Sequence, residues 1–405
     1  MITINKNFIK GSFILLIVFN VYSFLNFIFQ ASMARTLSIA DYGILAALFY
    51  LIYVLSIFTE AIQTVFARQS SREKDNGKLK NLLNRSFKKL SSVTVLFFIV
   101  YLIFAIPFSY LESIPYTLLA LNGLFIFTAL FLPLTRGIMQ GRQKFYSLGI
   151  NLIIESSVKL VASVALVLLG WKVYGAIGGA LLGSAVALFF SFPSIKSIYS
   201  AEEKKAETIE FRKDSISVFL ITFSILAFYT IDLFIAQLVF TKEVAGLYSL
   251  ASVLSKAVFW GTQPISRAMF PISAEEGLDK KKSKDHNTYL NALILLTLGV
   301  AAALILFFLI PDWIIRIFAG KFIDESANIL FYLGLATGVL SFANLNVLYK
   351  ISKNKPSNKS IIFFFAFLLI GIILLFLFND SLLEFSIAFL TSSVIFLWGS
   401  IAVLD

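Results

Sequence analysis

The feature that most constrains this chain is a run of apolar blocks, each about twenty residues long, recurring from one end to the other. A helix of that length crosses a hydrocarbon core of ~30 Å. The sequence is 59% hydrophobic and only 14% charged, with mean hydropathy +0.87. A soluble domain cannot bury that many apolar helices, so the solvent for most of the chain is a bilayer. There is no cysteine, which excludes disulfides and thiolate metal sites. The one histidine, His286, falls in a Lys-rich connection and reads as a solvated loop residue.

Apolar runs read against their polar breaks predict twelve spans, near 10–34, 42–66, 90–110, 115–138, 148–170, 174–195, 215–240, 243–270, 288–310, 326–349, 360–378 and 382–403. Ala31-Ser32-Met33-Ala34 resembles a signal-peptide cleavage site, but the apolar stretch is long and a second span follows at once. An uncleaved first helix is therefore expected.

The formal charge is +11, and its distribution is the informative part. On alternate sides of the expected spans, 27 of the 34 Lys and Arg fall on one side. Arg35, Lys172, Lys242, Arg316 and Lys321 fall on the other, and Lys159 and Lys256 lie inside spans. By the positive-inside rule both termini are cytoplasmic and the protein is a multi-pass protein of the cell (inner or plasma) membrane. The basic surplus is thus topological. Nucleic acid is not an expected partner, because the longest connection, about Ala67 to Lys89, is too short to form a basic domain face.

Six spans, a polar connection and six more spans divide the chain into an N-terminal six-helix bundle (1–195), a cytoplasmic linker (196–214) and a C-terminal six-helix bundle (215–405). Shifting the chain on itself by 203 residues sets Gly43 on Gly246, Tyr53 on Lys256, Glu60 on Gln263, Thr64 on Arg267, Asn26 on Tyr229 and Phe29 on Asp232. The match is one of polar phase. With an even number of spans per half the repeat is parallel, a pseudo-two-fold about the membrane normal, and such halves enclose a cavity.

Polar stripes run along several spans. Span eight carries Ser249, Ser252, Lys256, Gln263 and Arg267 on one face; span one offers Asn20, Ser23, Asn26 and Gln30; span two offers Tyr53, Ser56, Glu60, Gln63 and Thr64. Span seven adds Thr222, Tyr229 and Asp232, and span five adds Asn151, Glu155 and Lys159 at i, i+4, i+8. An ionisable group at mid-bilayer costs ~2.5–3.5 kcal/mol and is expected to face water or a partner. The candidate cavity residues are Arg35, Asn26, Gln30, Glu60, Glu155, Lys159, Asp232, Ser252, Lys256, Gln263 and Arg267. Plainer readings compete. Glu155 and Lys159 can neutralise each other within one helix, Asp232 lies near the outer end of its span where solvent could reach it, and Arg35, Arg68 and Arg136 sit at span ends as snorkelling anchors do. Lys256 is the hardest to explain away. Spans eleven and twelve lack such stripes and are expected outside the path. Buried cations suit an anionic ligand such as a lipid pyrophosphate.

Several stretches resemble the polysaccharide-exporter branch of the multidrug/oligosaccharidyl-lipid/polysaccharide exporter superfamily, which includes O-antigen flippases. They are Met33-Ala34-Arg35-Thr36-Leu37-Ser38-Ile39-Ala40-Asp41-Tyr42-Gly43, Gln140-Gly141-Arg142-Gln143-Lys144-Phe145, Asp232 with Val244-Ala245-Gly246-Leu247-Tyr248, Phe270-Pro271, and Ala319-Gly320-Lys321-Phe322. The resemblance covers roughly residues 10–360. It implies an all-α integral membrane protein that carries an undecaprenyl-pyrophosphate-linked oligosaccharide across the membrane by alternating access, with Arg35, Asp232, Lys256 and Arg267 lining the cavity. The implied partners are that lipid-linked oligosaccharide, membrane lipids, and a glycan polymerase or glycosyltransferases. No cofactor is expected, and coupling to a proton or sodium gradient is left open. A cation-coupled multidrug antiporter of the same superfamily, using Glu60, Glu155 or Asp232, is the alternative. An enzyme is not expected: the sequence shows no nucleophile–base pairing, Gly-rich phosphate loop or HExxH helix.

Overall fold

The computed structural model describes residues 6–111, 114–206, 214–276, 285–353 and 358–402. Among them it is helical, without strands. The helices are α1 (Lys6–Thr36), α2 (Ile39–Arg72), α3 (Asn76–Leu111), α4 (Tyr116–Gly123), α5 (Phe125–Gly141), α6 (Phe145–Leu166), α7 (Lys172–Ser191), α8 (Lys196–Tyr199), α9 (Asp214–Val239), α10 (Lys242–Glu276), α11 (Asp285–Leu309), α12 (Pro311–Ala319), α13 (Asp324–Lys353), α14 (Asn358–Leu377) and α15 (Leu382–Ala402). Among the described residues eight stretches are long and apolar enough to cross a membrane, and Phe223–Val239 and Ile362–Leu377 are shorter apolar helices. Large apolar side chains such as Phe104, Leu168, Phe189 and Leu377 stand well exposed. In water such surface would aggregate; in a bilayer it meets acyl chains. This is a multi-pass membrane protein.

Two compact units are present: Met1–Ser38 with Leu51–Glu210, and Ile39–Tyr50 with Phe211–Asp405. One continuous helix, α2, thus contributes to both.

In the first unit the longest apolar stretch, Phe145–Tyr199, does not cross in one piece. A π-helical turn at Val167–Trp171 contains Gly170 at φ +92°, and Lys172 follows at φ +45°. The chain reverses there into the α6–α7 hairpin. Gly175, Gly179 and Gly183 form a small-residue stripe on α7 that lets α6 approach closely. A Cβ on Gly179 would lie 2.2 Å from the Ser163 nitrogen, and one on Gly183 2.6 Å from the Glu155 carbonyl oxygen. This contact fixes the face of α6 that carries Asn151, Glu155 and Lys159. A core of Phe66, Leu79, Leu83, Leu134, Ile138, Met139, Leu152, Ile195 and Ile198 closes one end of the unit.

The first part of the expected linker is not slack. Residues 196–206 lie along the start of α3. Lys204 pairs with Asp75 at 3.0 Å, Asn81 and Asn84 donate to the Glu203 carboxylate, the Ala206 N–H donates to Asn81 Oδ1, and the Lys204 N–H donates to the Gly77 carbonyl. A Cβ on Gly77 would sit 2.2 Å from the Glu202 carbonyl oxygen, so only glycine admits this approach. The Asp75 carboxyl is held below the usual carboxylate range by its hydrogen bonds from Lys204 and the Gly77 N–H, and Lys204 is raised by the same pairing.

In the second unit α10 and α13 pack closely, α13 packs on α15, and α14 bridges α15 and α9. Phe228 stacks on Phe396 with centroids 4.7 Å apart, and Tyr248 meets Phe385 edge-on at 5.1 Å. Gly43 and Gly246, the pair matched at the 203-residue shift, pack on each other here: a Cβ on Gly43 would lie 2.8 Å from the Gly246 Cα.

Candidate functional site

Each unit holds a polar cluster built from an i, i+4, i+8 stripe on one helix, fully buried in the second unit and partly buried in the first.

In the second unit the stripe is Tyr248, Ser252 and Lys256 on α10, facing Asp232 on α9. Lys256 Nζ donates to Asp232 Oδ1 at 2.8 Å. The Tyr248 and Ser252 hydroxyls donate to Asp232 Oδ2 at 3.0 and 2.8 Å. Three donors on one carboxylate, one of them charged, offset its removal from water. Both charged residues are 0% exposed. The ammonium also lies over the Tyr50 ring at 4.2 Å and the Tyr229 ring at 5.1 Å, so aromatic faces take up the part of its charge turned from the carboxylate. The Tyr229 hydroxyl donates to the Lys256 carbonyl at 3.3 Å, tying α9 to α10. Solvation of Asp232, weighed from its place near the helix end, does not hold: Tyr248 and Lys256 from the neighbouring helix cover it.

In the first unit the stripe is Asn151, Glu155 and Lys159 on α6. Arg136 of α5 donates through Nε to Asn151 Oδ1 at 2.7 Å and through Nη2 to Glu155 Oε2 at 2.6 Å. The Asn151 amide donates in turn to the Ala187 carbonyl of α7 at 2.6 Å. Lys159 Nζ donates to Asn26 Oδ1 of α1 and lies 4.5 Å from the Phe29 ring centre. Reading Arg136 as a span-end anchor is therefore corrected. α5 continues to Gly141, which leaves Arg136 inside the helix, 8% exposed, with a carboxylate partner. The Glu155 carboxylate has this interhelical partner besides any neighbour on its own helix.

Of the eleven expected cavity residues, Asp232, Ser252 and Lys256 meet in one cluster, and Asn26, Glu155 and Lys159 share the other. Arg35 and Glu60 are exposed, and Gln30 and Gln263 are half-buried. The Arg267 side chain lies outside the described residues. Arg136, Tyr50 and Tyr248 are the members that sequence reasoning missed. Tyr248 was findable, since it stands four residues before Ser252 and eight before Lys256. Arg136 was not, because its partner is on another helix. Among the described residues no group of three metal-ligating side chains occurs.

One sealed ion pair, Asp232–Lys256, and one partly buried pair, Arg136–Glu155, thus sit within the helices of an all-helical membrane protein. A profile described as "Polysaccharide biosynthesis protein" matches residues 32–328, and the chain belongs to that family. No curated protein matches in sequence. The fold is similar to an inward-facing multidrug resistance MATE family transporter of the MOP superfamily, at TM-score 0.70 and 12% identity, covering 93% of this chain and 94% of that one. It is also similar to the lipid II flippase MurJ in an inward closed conformation, at TM-score 0.68 and 17% identity, covering 96% and 86%.

Proposed function

We propose that this protein flips a polyprenyl-pyrophosphate-linked oligosaccharide from the cytoplasmic to the outer leaflet by alternating access, in the synthesis of a cell-surface polysaccharide. Membership of the polysaccharide biosynthesis family over residues 32–328 carries this reading, and the likeness to a lipid flippase agrees with it. In this reading the chain sits in the cell membrane with twelve crossings, two repeated six-helix bundles and both termini cytoplasmic. It receives its substrate from glycosyltransferases and hands it to a glycan polymerase.

The chemistry of the second cluster suits such a cycle. Lys256 is engaged by Asp232, so a pyrophosphate reaches the ammonium only by displacing that carboxylate. Substrate binding is then coupled to a rearrangement of α9 against α10, and the ligand shifts the equilibrium by its differential affinity for the two arrangements. Arg136 and Glu155 offer the same exchange in the first unit. A second reading, a cation-coupled antiporter, draws on the MATE likeness and on Asp232, whose carboxylate would take a proton or sodium ion once Lys256 withdrew. In neither is the protein an enzyme.

The test is flipping of a fluorescent polyprenyl-pyrophosphate glycan in reconstituted vesicles, read by a membrane-impermeant quencher. Wild type moves the lipid, and Lys256→Ala or Asp232→Ala slows it at least about tenfold, the effect of ~1.4 kcal/mol. Movement no faster than in empty vesicles, together with gradient-driven dye efflux, replaces the first reading by the second.

A further inference from the structure

The segment joining α11 to α13 takes no part in either cluster. α12 is short and two-faced: Ile315, Phe318 and Ala319 are buried, while Trp313 and Ile317 are 54% and 61% exposed. Pro311 opens the helix and Gly320, at φ +78°, ends it in a left-handed turn. Phe322 then lies beside Trp313, ring centres 6.0 Å apart and nearly perpendicular. The Arg316 guanidinium is held against both rings, its central carbon 5.1 Å from the Trp313 centre and 4.6 Å from the Phe322 centre. Among the described residues the Arg316 side chain makes no ion pair and no hydrogen bond, although Asp312 stands one turn before it. A guanidinium stacked on aromatic faces keeps its N–H edge available, and that planar fork matches the oxygens of a phosphate.

An apolar furrow runs between the last turns of α11 and the first of α13, lined by Ala301, Leu304, Ile305, Phe308, Leu309 and Phe331. The Phe308 and Phe331 rings meet edge-on at 5.4 Å. The furrow reaches Leu309, two residues before α12 begins. The furrow thus ends in the chain just before the helix that carries Arg316. These are the two halves of one amphipathic ligand.

We propose that this end of the second unit is a binding site for a single phospholipid of the surrounding leaflet. Arg316 takes the phosphate, with Lys321 exposed in the same connection, and an acyl chain fills the furrow. An interfacial aromatic belt accounts for an exposed Trp313 by itself. It does not account for a guanidinium held against two rings on the helix that follows an apolar furrow. The site is separate from the proposed translocated ligand and stands whether or not the flippase reading does.

Native mass spectrometry of the full chain in detergent, with phosphatidylglycerol titrated as the probe, tests this. Wild type retains one tightly held lipid. Arg316→Gln lowers its affinity about tenfold, and Ile305→Trp, which fills the furrow, does the same. Lys172→Gln, an exposed cation elsewhere, leaves it unchanged. All variants melt as wild type does, since the altered side chains are exposed. Retention by Arg316→Gln equal to wild type, an equal loss in Lys172→Gln, or retention of polyprenyl phosphate but not phosphatidylglycerol would overturn the proposal.

Discussion

A lysine with no exposure and a carboxylate 2.8 Å away is stable only as half of a pair. Removing one partner of a buried ion pair costs about 3–5 kcal/mol, because the other charge is left without compensation, whereas replacing both with apolar or neutral groups is often close to neutral. Lys256→Met therefore lowers the melting midpoint in detergent by several degrees, and adding Asp232→Asn restores most of it. Scanning fluorimetry decides: a single variant that melts with wild type would mean the pair is not sealed. At this scale periodicity made half the site legible. Ser252 and Lys256 announce themselves by spacing on one face, as do Asn151, Glu155 and Lys159. Asp232 was named as well, from the polar face of its own helix, but its pairing with Lys256 and the pairing of Arg136 with Glu155 were not, because spacing reports neighbours on the same helix and these partners arrive from other helices.

The apolar part of each helix was the most legible, since hydrocarbon thickness sets its length, but α2, α3 and α10 run on to 34, 36 and 35 residues through polar stretches that were read as connections or left outside the spans. The reversal at Gly170 follows the same logic, a positive-φ glycine between two apolar runs. The strap of residues 196–206 was read only as a polar linker, because hydrogen bonds between Asn81, Asn84 and Glu203 leave no periodic trace. The strap should depend on pH. Asp75 titrates lower folded than unfolded, so its contribution is present above the ordinary Asp value and fades as pH falls through the depressed one. Lys204, raised, contributes below the ordinary Lys value and loses this at high pH. Amide exchange at Lys204 and Ala206, corrected for intrinsic rate, should accelerate several-fold between pH 5 and pH 2, and Asp75→Asn should show that acceleration already at pH 7. Protection unchanged in Asp75→Asn would show the ion pair to be incidental to the strap.

For the whole molecule the testable quantity is topology. The natural chain has no cysteine, so any introduced thiol is a unique reporter. In intact cells an impermeant maleimide should label Thr117→Cys and Lys321→Cys, and should reach Lys144→Cys and Lys205→Cys only after permeabilisation. Labelling of all four in intact cells would break the assignment of sides. The Asp232–Lys256 pair bears also on how such a chain is made. Each of those residues, presented alone to hydrocarbon, opposes membrane insertion by ~2.5–3.5 kcal/mol near the centre. Yet α9 and α10 are separated only by Phe240 and Thr241. Leaving the translocon together as a hairpin, they bring acid and base in already joined, so the counter-ion that permits each helix to enter is synthesised within the next two dozen residues.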